Sequence, residues 1–216
     1  MLIVKIITQS KSKEEYDDYD LTALSMLTDI EHTQYHTKLA YDPFSSHIIA
    51  IGIKNTINDK IYLFTTAEKK TCETYTDVKY SFSTNETELV EKFWLLLNRF
   101  QTRYYITFNG RDFDFPYLML RSVILGIEPA DNLMKGTEYT FGSTHCDLLR
   151  VLTFRKFTQK RRSLEFYCSK LGLTFKPFIT QEEINIGEPA LDVCSHLINV
   201  LNSIHALFTK INSILS

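Results

Sequence analysis

The chain lacks a strong net charge of either sign and is poor in cysteine. Its 216 residues carry a formal net charge of −2 at pH 7, so no overall positive field attracts nucleic acid. An enzyme that is acidic near a metal and basic only along one groove is still compatible with that balance. The four cysteines, Cys72, Cys146, Cys168 and Cys194, are widely spaced without a CxxC pair. This spacing argues against a structural zinc site or a disulfide scaffold and favours a reducing intracellular compartment.

Long apolar runs, repeats and linkers rich in proline or glycine are absent as well. The apolar segment 1–7 is too short for a signal peptide, and no run approaches the roughly 20 apolar residues of a membrane span. We therefore expect a cytoplasmic protein without a membrane partner, with a nucleoid or a viral replication site as compatible locations. The composition, 44% hydrophobic, predicts one sizeable core. We assign that core to a domain over 21–216, preceded by a strand and a charged loop over 1–20.

Apolar periodicity predicts strands early in the chain and helices interleaved with strands later. The predicted strands cover residues 1–7, 24–31, 48–53, 61–65, 104–108 and 145–151, and the predicted helices cover residues 88–100, 115–125, 164–171 and 190–214. Thr84 or Asn85 is a plausible cap for the first of these helices. This order predicts an α/β fold with a mixed central sheet flanked by helices.

Two acidic residues, Asp29 and Glu31, stand one apart inside the apolar stretch 24–33. Alternation along a strand turns side chains i and i+2 to the same face, so both carboxylates project together. Two like charges that close repel each other, and a divalent cation with oxygen ligands, Mg²⁺ or Mn²⁺, relieves that repulsion. The alternative is a solvated edge strand that carries two acids by chance.

A second group of candidate residues lies in segment 108–118, which joins a predicted strand to a predicted helix. The turn delivers Asp114 close to the helix N-terminus, where the helix dipole favours an acid. In the alternative interpretation Asp114 is only an N-cap ahead of Pro116, which leaves Asn109 unexplained. Phe113 and Phe115 flank Asp114 and are candidates either for stacking on terminal bases or for core packing.

Two further features are polar patterns rather than motifs. Asp192, Ser195, His196 and Asn199 recur at helical spacing and form one polar stripe on the closing helix, either a solvated face or part of a site. Basic residues also cluster over 150–162 between phenylalanines. They predict a phosphate-binding strip with aromatics for base stacking, the alternative being an exposed basic loop. The candidate substrate-binding residues of this strip are Arg155, Lys160 and Arg161.

The segment Asp29-Ile30-Glu31-His32-Thr33, followed by segment 109–118, resembles the first two motifs of the DEDD 3′–5′ exonucleases. Within this group the chain is most similar to the proofreading exonuclease domain of family B DNA polymerases and its stand-alone relatives. Stretches 42–52, 145–149 and 163–173 are similar in kind and order. The resemblance runs from about residue 24 to the C-terminus, leaves the first twenty residues unexplained, and implies an RNase H-like fold.

The resemblance also implies site residues. In that family four carboxylates hold two metal ions, which places Asp29, Glu31 and Asp114 as metal ligands and catalytic residues, with Asn109 near the substrate. The third motif asks for Tyr-x-x-x-Asp on the closing helix, and this chain has Ser195 and Asn199 at those positions. Either Asp192 is the fourth ligand with His196 near the attacking water, or the site is degraded.

The activity implied by the resemblance is hydrolysis of phosphodiester bonds at single-stranded 3′ ends with two Mg²⁺ or Mn²⁺ ions. DNA is favoured over RNA, and a protein of DNA replication or DNA repair is a possible partner. The alternative, suggested by the imperfect third motif, is a catalytically degraded module that binds nucleic acid or a replication protein.

Overall fold

The computed structural model describes residues 1–10, 42–69, 72, 75–100, 104–135, 144–154, 162–174 and 192–215. The strands are β1 (Leu2–Ser10), β2 (Ser46–Asn55), β3 (Ile61–Thr65), β4 (Val78–Phe82), β5 (Tyr105–Thr107) and β6 (His145–Asp147). The helices among these residues are α1 (Glu86–Leu97), α2 (Asp114–Ile124), α3 (Leu148–Leu152), α4 (Leu164–Lys170) and α5 (Val193–Leu215).

The strands form a mixed six-stranded sheet in the order β4-β3-β2-β1-β5-β6. The pairs β1/β2 and β2/β3 are antiparallel, whereas β3/β4, β1/β5 and β5/β6 are parallel. This sheet with its flanking helices confirms the predicted α/β class and has the architecture of an RNase H-like exonuclease fold. We expected β1 to precede the domain, yet it lies between β2 and β5 inside the sheet. The proposed boundary at residue 20 itself falls outside the described residues.

Helices cover both faces of the sheet, and β1 explains how. Its residues alternate between two apolar clusters: Ile3 and Ile7 join one, and Leu2, Val4 and Ile6 join the other. A strand that is covered on both faces carries apolar residues at nearly every position. The sequence of β1 is therefore apolar without alternation. Helix α5 packs into the first cluster, and helices α1 and α2 pack into the second.

Local sequence signals account for most element boundaries. The side chain of Asn85 accepts a hydrogen bond from the Glu88 N–H at 2.9 Å, which confirms Asn85 as the cap of α1. The strand predicted over 145–151 ends at Asp147, because this side chain accepts from the Leu149 N–H and begins helix α3. That prediction was therefore wrong from Leu148 onward, and β4 was not predicted at all. The predicted strand over 24–31 lies outside the described residues.

Two findings bear on the predicted environment of the chain. One disulfide joins Cys72 to Cys194 across a sequence separation of 122 residues, which the cysteine spacing did not predict. Cys146 and Cys168 are free. Within the described ranges, none of the helices combines the length and the apolar character that crossing a bilayer requires.

Candidate functional site

Asp114 is the first residue of helix α2 and is completely buried. The Lys5 ammonium lies 3.0 Å from each of its two carboxylate oxygens. The Ile6 N–H donates a further hydrogen bond to Asp114 Oδ1 at 3.0 Å. Both partners belong to β1, so the carboxylate links the start of α2 to the middle of the sheet.

The short pairing between β1 and β5 explains why the Ile6 N–H needs a hydrogen-bond acceptor from a side chain. The described pairing is short and joins Leu2 to Tyr105 and Ile3 to Ile106. Since β5 ends at Thr107, the backbone of β1 continues past the end of its neighbour. A buried N–H without a partner is costly, and Asp114 supplies the acceptor for Ile6.

The interpretation of Asp114 as a simple helix cap was wrong. The cap position is Phe113, which has extended φ and makes no side-chain capping bond. The Asp114 carboxylate is directed to β1 instead. The Phe113 ring is half-buried, and the Lys5 ammonium lies 5.5 Å from its centroid.

Phe115, the second candidate for base stacking, is fully buried. Its ring centroid lies 4.4 Å from that of His145 and 5.3 Å from that of Tyr105. A ring with no solvent exposure cannot stack on a base without a rearrangement of the core. The burial therefore favours the core-packing alternative.

A buried network fixes the orientation of α2 and hence the position of Asp114. Arg121 donates to Glu86 Oε1 at 2.9 Å and to the Pro43 carbonyl at 2.8 Å. The Tyr117 hydroxyl lies 2.6 Å from Ser46 Oγ. Burial raises the pKa of the Tyr117 phenol well above its usual range, so it stays protonated and neutral.

The turn before α2 is organised by Asp147 at the end of β6. Its carboxylate accepts from the N–H groups of Asn109 and Arg111, both at 2.9 Å, as well as from Leu149 at 3.0 Å. Burial raises the pKa of Asp147, an effect opposed by these three hydrogen bonds and by the charge of Arg150. The same side chain therefore caps α3 and holds the loop that leads to Asp114.

Asn109 sits in that loop in the left-handed region, with φ of 63°. Asparagine tolerates this conformation better than most residues, but not without cost. Within the part of the chain that the structure describes, its side-chain oxygen is buried and has no hydrogen-bond partner. A strained residue with an unsatisfied oxygen is a candidate functional residue, in keeping with the predicted role of Asn109.

On the closing helix, Asp192 acts as a cap. Its carboxylate accepts from Ser195 N at 2.9 Å and from Ser195 Oγ at 2.6 Å. His196 and Asn199 follow in the next turns and are half-buried. The choice between Asp192 and Asn199 as fourth metal ligand stays a prediction.

Several predicted site residues lie outside the described part of the chain. These are Asp29 and Glu31 of the first motif, together with Arg155, Lys160 and Arg161 of the basic strip.

The family was then established by comparison. Residues 53–183 match a family model described as a predicted 3′–5′ exonuclease related to the exonuclease domain of PolB. This span is more than half of the 216-residue chain. The chain belongs to this exonuclease family. No curated protein matches it closely enough to count as a relative.

The exonuclease match covers only part of the predicted site. The matched residues 53–183 include Asn109 and Asp114, whereas the first-motif acids and the polar stripe of α5 fall outside this span. The match shows the family and leaves the site residues of all three motifs as predictions.

Exonucleases of this kind generally use divalent metals, and the fit of such ions depends on whether the described residues around Asp114 leave its carboxylate available. They do not, because an ammonium ion and a backbone N–H already engage this carboxylate. Across the described ranges, the one group of three possible ligands is Cys72, Asp192 and Cys194, and its two sulfurs are joined in the disulfide.

Two residues of this site were missed by sequence reasoning. Lys5 gave a usable signal, as the only charged residue within the apolar run 2–7. A charge in the middle of a buried strand requires a partner. Asp147 gave a weaker signal: an acid that ends one apolar segment and precedes another is a common helix cap.

Proposed function

We propose that this chain is an exonuclease-like module that binds single-stranded nucleic acid ends and does not hydrolyse them at Asp114. The observation that carries the proposal is the engagement of Asp114 by Lys5, with the ammonium 3.0 Å from both carboxylate oxygens. A resident ammonium supplies the positive charge that a metal ion would otherwise provide.

Electrostatics set the ammonium and a divalent ion in competition for this carboxylate. A doubly charged ion about 4 Å from an ammonium is repelled by roughly 8 kcal/mol at an effective dielectric constant of 20. Displacing Lys5 would instead break its ion pair with Asp114 and leave the partly exposed ammonium with water as its partner. Both routes weaken metal binding, which supports a site without turnover.

Among the described residues, which do not include Asp29 and Glu31, the charges around the loop are balanced without a metal. Three carboxylates, Asp112, Asp114 and Asp147, are accompanied by three cations: Lys5 at Asp114, Arg150 at Asp112, and Arg111 on the loop held by Asp147. A two-metal site needs an excess of negative charge to hold about four positive charges. The balance of the described residues supports a binding role instead.

Membership of the exonuclease family supports nucleic acid as the ligand, and we propose DNA over RNA. Asn109, the half-buried Phe113 and the basic strip Arg155, Lys160 and Arg161 are the proposed contacts. A protein of DNA replication or repair is the proposed partner that would use such a module.

The family membership also favours a second function, a metal-dependent 3′–5′ exonuclease that acts on single-stranded DNA. This function requires Asp29 and Glu31 to supply carboxylates beside Asp114, and it requires the Lys5 ammonium to move away from the Asp114 carboxylate. The two functions make opposite predictions for one assay.

The test uses single-stranded DNA with a fluorescent label, incubated with the purified chain in Mg²⁺, in Mn²⁺ or in EDTA. We expect binding by fluorescence anisotropy that is the same in all three buffers, and no shortening of the strand on a gel. The variants Asp29→Ala and Asp114→Asn should leave the gel unchanged.

A matched control is Asp77→Ala, which removes an exposed carboxylate far along the chain from each motif. Metal-dependent shortening that persists in Asp77→Ala and disappears in both Asp29→Ala and Asp114→Asn would overturn the proposal. The second function would then be correct.

A further inference from the structure

The Cys72–Cys194 disulfide joins two parts of the fold that the chain separates widely. Cys72 lies in the connection between β3 and β4, and Cys194 lies in the first turn of α5. Cys194 is completely buried and Cys72 is 7% exposed. The bond therefore fixes the beginning of the closing helix to one end of the sheet.

The rest of α5 has its own attachment to the sheet. Leu197 and Leu201 are fully buried and pack tightly over Gly52 on β2. A Cβ placed on Gly52 would lie 2.7 Å from the Leu201 Cδ1 atom. Since this packing does not depend on the disulfide, loss of the bond should leave the body of the helix in place.

The first turn of α5 has weaker support. Asp192 caps it through Ser195, and the Tyr75 hydroxyl lies 3.3 Å from Ser195 Oγ in an exposed position. The Tyr75–Ser195 bond contributes little to stability because it is exposed and water competes for both partners, whereas the two bonds to Asp192 are half-buried. The covalent bond at Cys194 is thus the strongest restraint on this turn.

The other two thiols are unsuited to exchange with the disulfide. Burial raises the pKa of Cys146 to about 11 and also raises the pKa of Cys168. Disulfide exchange requires a thiolate, so both groups are poor attacking nucleophiles at neutral pH. The Cys72–Cys194 pair can therefore cycle without scrambling.

We propose that Cys72 and Cys194 form a redox-responsive disulfide switch that holds the first turn of α5 when oxidised and releases that turn when reduced. The reductant is a dithiol. One of its thiolates attacks the sulfur of Cys72, the less buried of the two residues, forms a mixed disulfide and expels the Cys194 thiolate, which takes up a proton. The second thiol then closes the disulfide of the reductant and releases Cys72 as a thiol, so two electrons and two protons reach the protein.

The released turn carries Asp192, Ser195 and His196, three members of the polar stripe. Oxidation state would therefore control whether these side chains are held in one arrangement, independently of the proposed function at Asp114.

The experiment measures thiols and amide exchange on the same protein. Iodoacetamide labelling of the denatured, oxidised chain should modify Cys146 and Cys168, and labelling after dithiothreitol should modify all four cysteines. Hydrogen exchange followed by mass spectrometry should be at least tenfold faster over 195–196 after reduction, and unchanged over 203–211.

Two variants separate the effect of the Cys72–Cys194 disulfide from other effects of the reductant. Cys72→Ser should show fast exchange over 195–196 in both buffers, whereas Cys146→Ser, which removes a free thiol, should respond to dithiothreitol like the parent protein. Equal exchange in both buffers would overturn the proposal, and so would loss of protection throughout the chain on reduction. Four labelled cysteines in the protein as purified, with a stoichiometric Zn²⁺ held by the sulfurs and the nearby Asp192, would also overturn it.

Discussion

The Lys5 ammonium and the Asp114 carboxylate form a pair of which the aspartate is fully buried and the lysine side chain is 23% exposed. Two ionised groups in such a place depend on each other, because removal of one leaves an uncompensated charge inside the protein. Ile6 contributes a backbone N–H to the same carboxylate but no charge. The stability of this region should therefore respond to the charge at residue 5.

Lys5→Met tests this dependence while keeping an unbranched side chain of similar length. We expect a loss of about 3 kcal/mol in the free energy of unfolding, the lower end of the range for a broken buried pair, because Lys5 keeps some contact with water. Urea unfolding measures the loss. The double variant Lys5→Met with Asp114→Asn should lose less than the sum of the two single variants.

The same variant has a second measurable consequence. Without the ammonium, Asp114 becomes an unpaired carboxylate, so Mn²⁺ should raise the melting temperature of Lys5→Met and leave that of the parent chain unchanged. A parent chain already stabilised by Mn²⁺, with the effect lost in Asp114→Asn, would contradict the assignment of Lys5 as the resident cation.

Asn109 offers a test in which stability and binding should separate. Asn109→Gly removes a side chain from a left-handed position where glycine is preferred, and it also removes an unsatisfied buried oxygen. We expect unchanged or higher stability, by up to about 1 kcal/mol, together with weaker binding of single-stranded DNA. Unfolding and anisotropy titrations measure the two effects, and a loss of stability with unchanged binding would assign Asn109 a purely structural role.

At this scale the sequence indicated which residues matter better than what they contact. Asp114 and Asn109 stand out because a turn between a strand and a helix carries them. The partner of Asp114 is 109 residues away in the chain, and neither spacing nor periodicity reports such a contact. Only the isolated charge of Lys5 within an apolar strand pointed to an unknown partner.

Among the elements, β6 carries the most informative side chain. His145 is buried, its Nε2 lies 2.8 Å from Thr107 Oγ1 on β5, and its ring packs on Phe115 of α2. Burial, with the charges of Arg111 and Arg150, lowers its pKa to about 3 from a usual 6.5. The contact of three elements therefore depends on a neutral imidazole.

This titration predicts acid sensitivity with a definite sign. Between pH 6.5 and about 3, His145 binds a proton in the unfolded chain but not in the folded chain, so stability falls as the pH decreases. At pH 5 the loss should be about 2 kcal/mol. Asp147, whose pKa is raised, has the opposite effect, because its protonation adds stability to the folded state as the pH decreases.

The measurement is urea unfolding at pH 7 and pH 5 for the parent chain and for His145→Gln. Because Asp147 is present in both proteins, its contribution cancels in the comparison. The parent chain should lose about 2 kcal/mol more than the variant between the two pH values. Equal losses would mean that His145 is protonated in the folded state.

Element boundaries followed from the sequence wherever a local signal sets them. Asn85 begins α1 and Ser163 begins α4 by ordinary side-chain caps. The strand predicted over 145–151 failed at Asp147, because apolar Leu148 and Leu149 fit a buried strand and a buried helix equally well. The strand β4 pairs in parallel with β3, and such pairing has no short-range signature.

In the whole molecule, the position of β1 was the main departure from expectation. Sequence reasoning assigned the domain to 21–216, since the resemblance began near residue 24. The sheet instead places β1 between β2 and β5. Strand order depends on contacts between distant segments, so a motif search that starts inside the chain does not reveal it.

The consequence is testable with a chain that starts at residue 21. Loss of β1 removes five buried apolar side chains, Leu2, Ile3, Val4, Ile6 and Ile7, and takes one pairing partner from each of β2 and β5. Each such side chain is worth about 1.5–3 kcal/mol, and domains have only about 5–15 kcal/mol in total. We expect circular dichroism to show no cooperative thermal transition. A sharp transition close to that of the full chain would place the fold within 21–216.

The short β5 also bears on how members of this family should be sorted. Because β1 extends past the end of β5, the fold needs a hydrogen-bond acceptor at the Ile6 N–H whether or not any reaction takes place. Selection for folding alone would then retain an aspartate at position 114. The presence of this aspartate is therefore not by itself proof of turnover, because its bond to the Ile6 amide gives it a structural role as well.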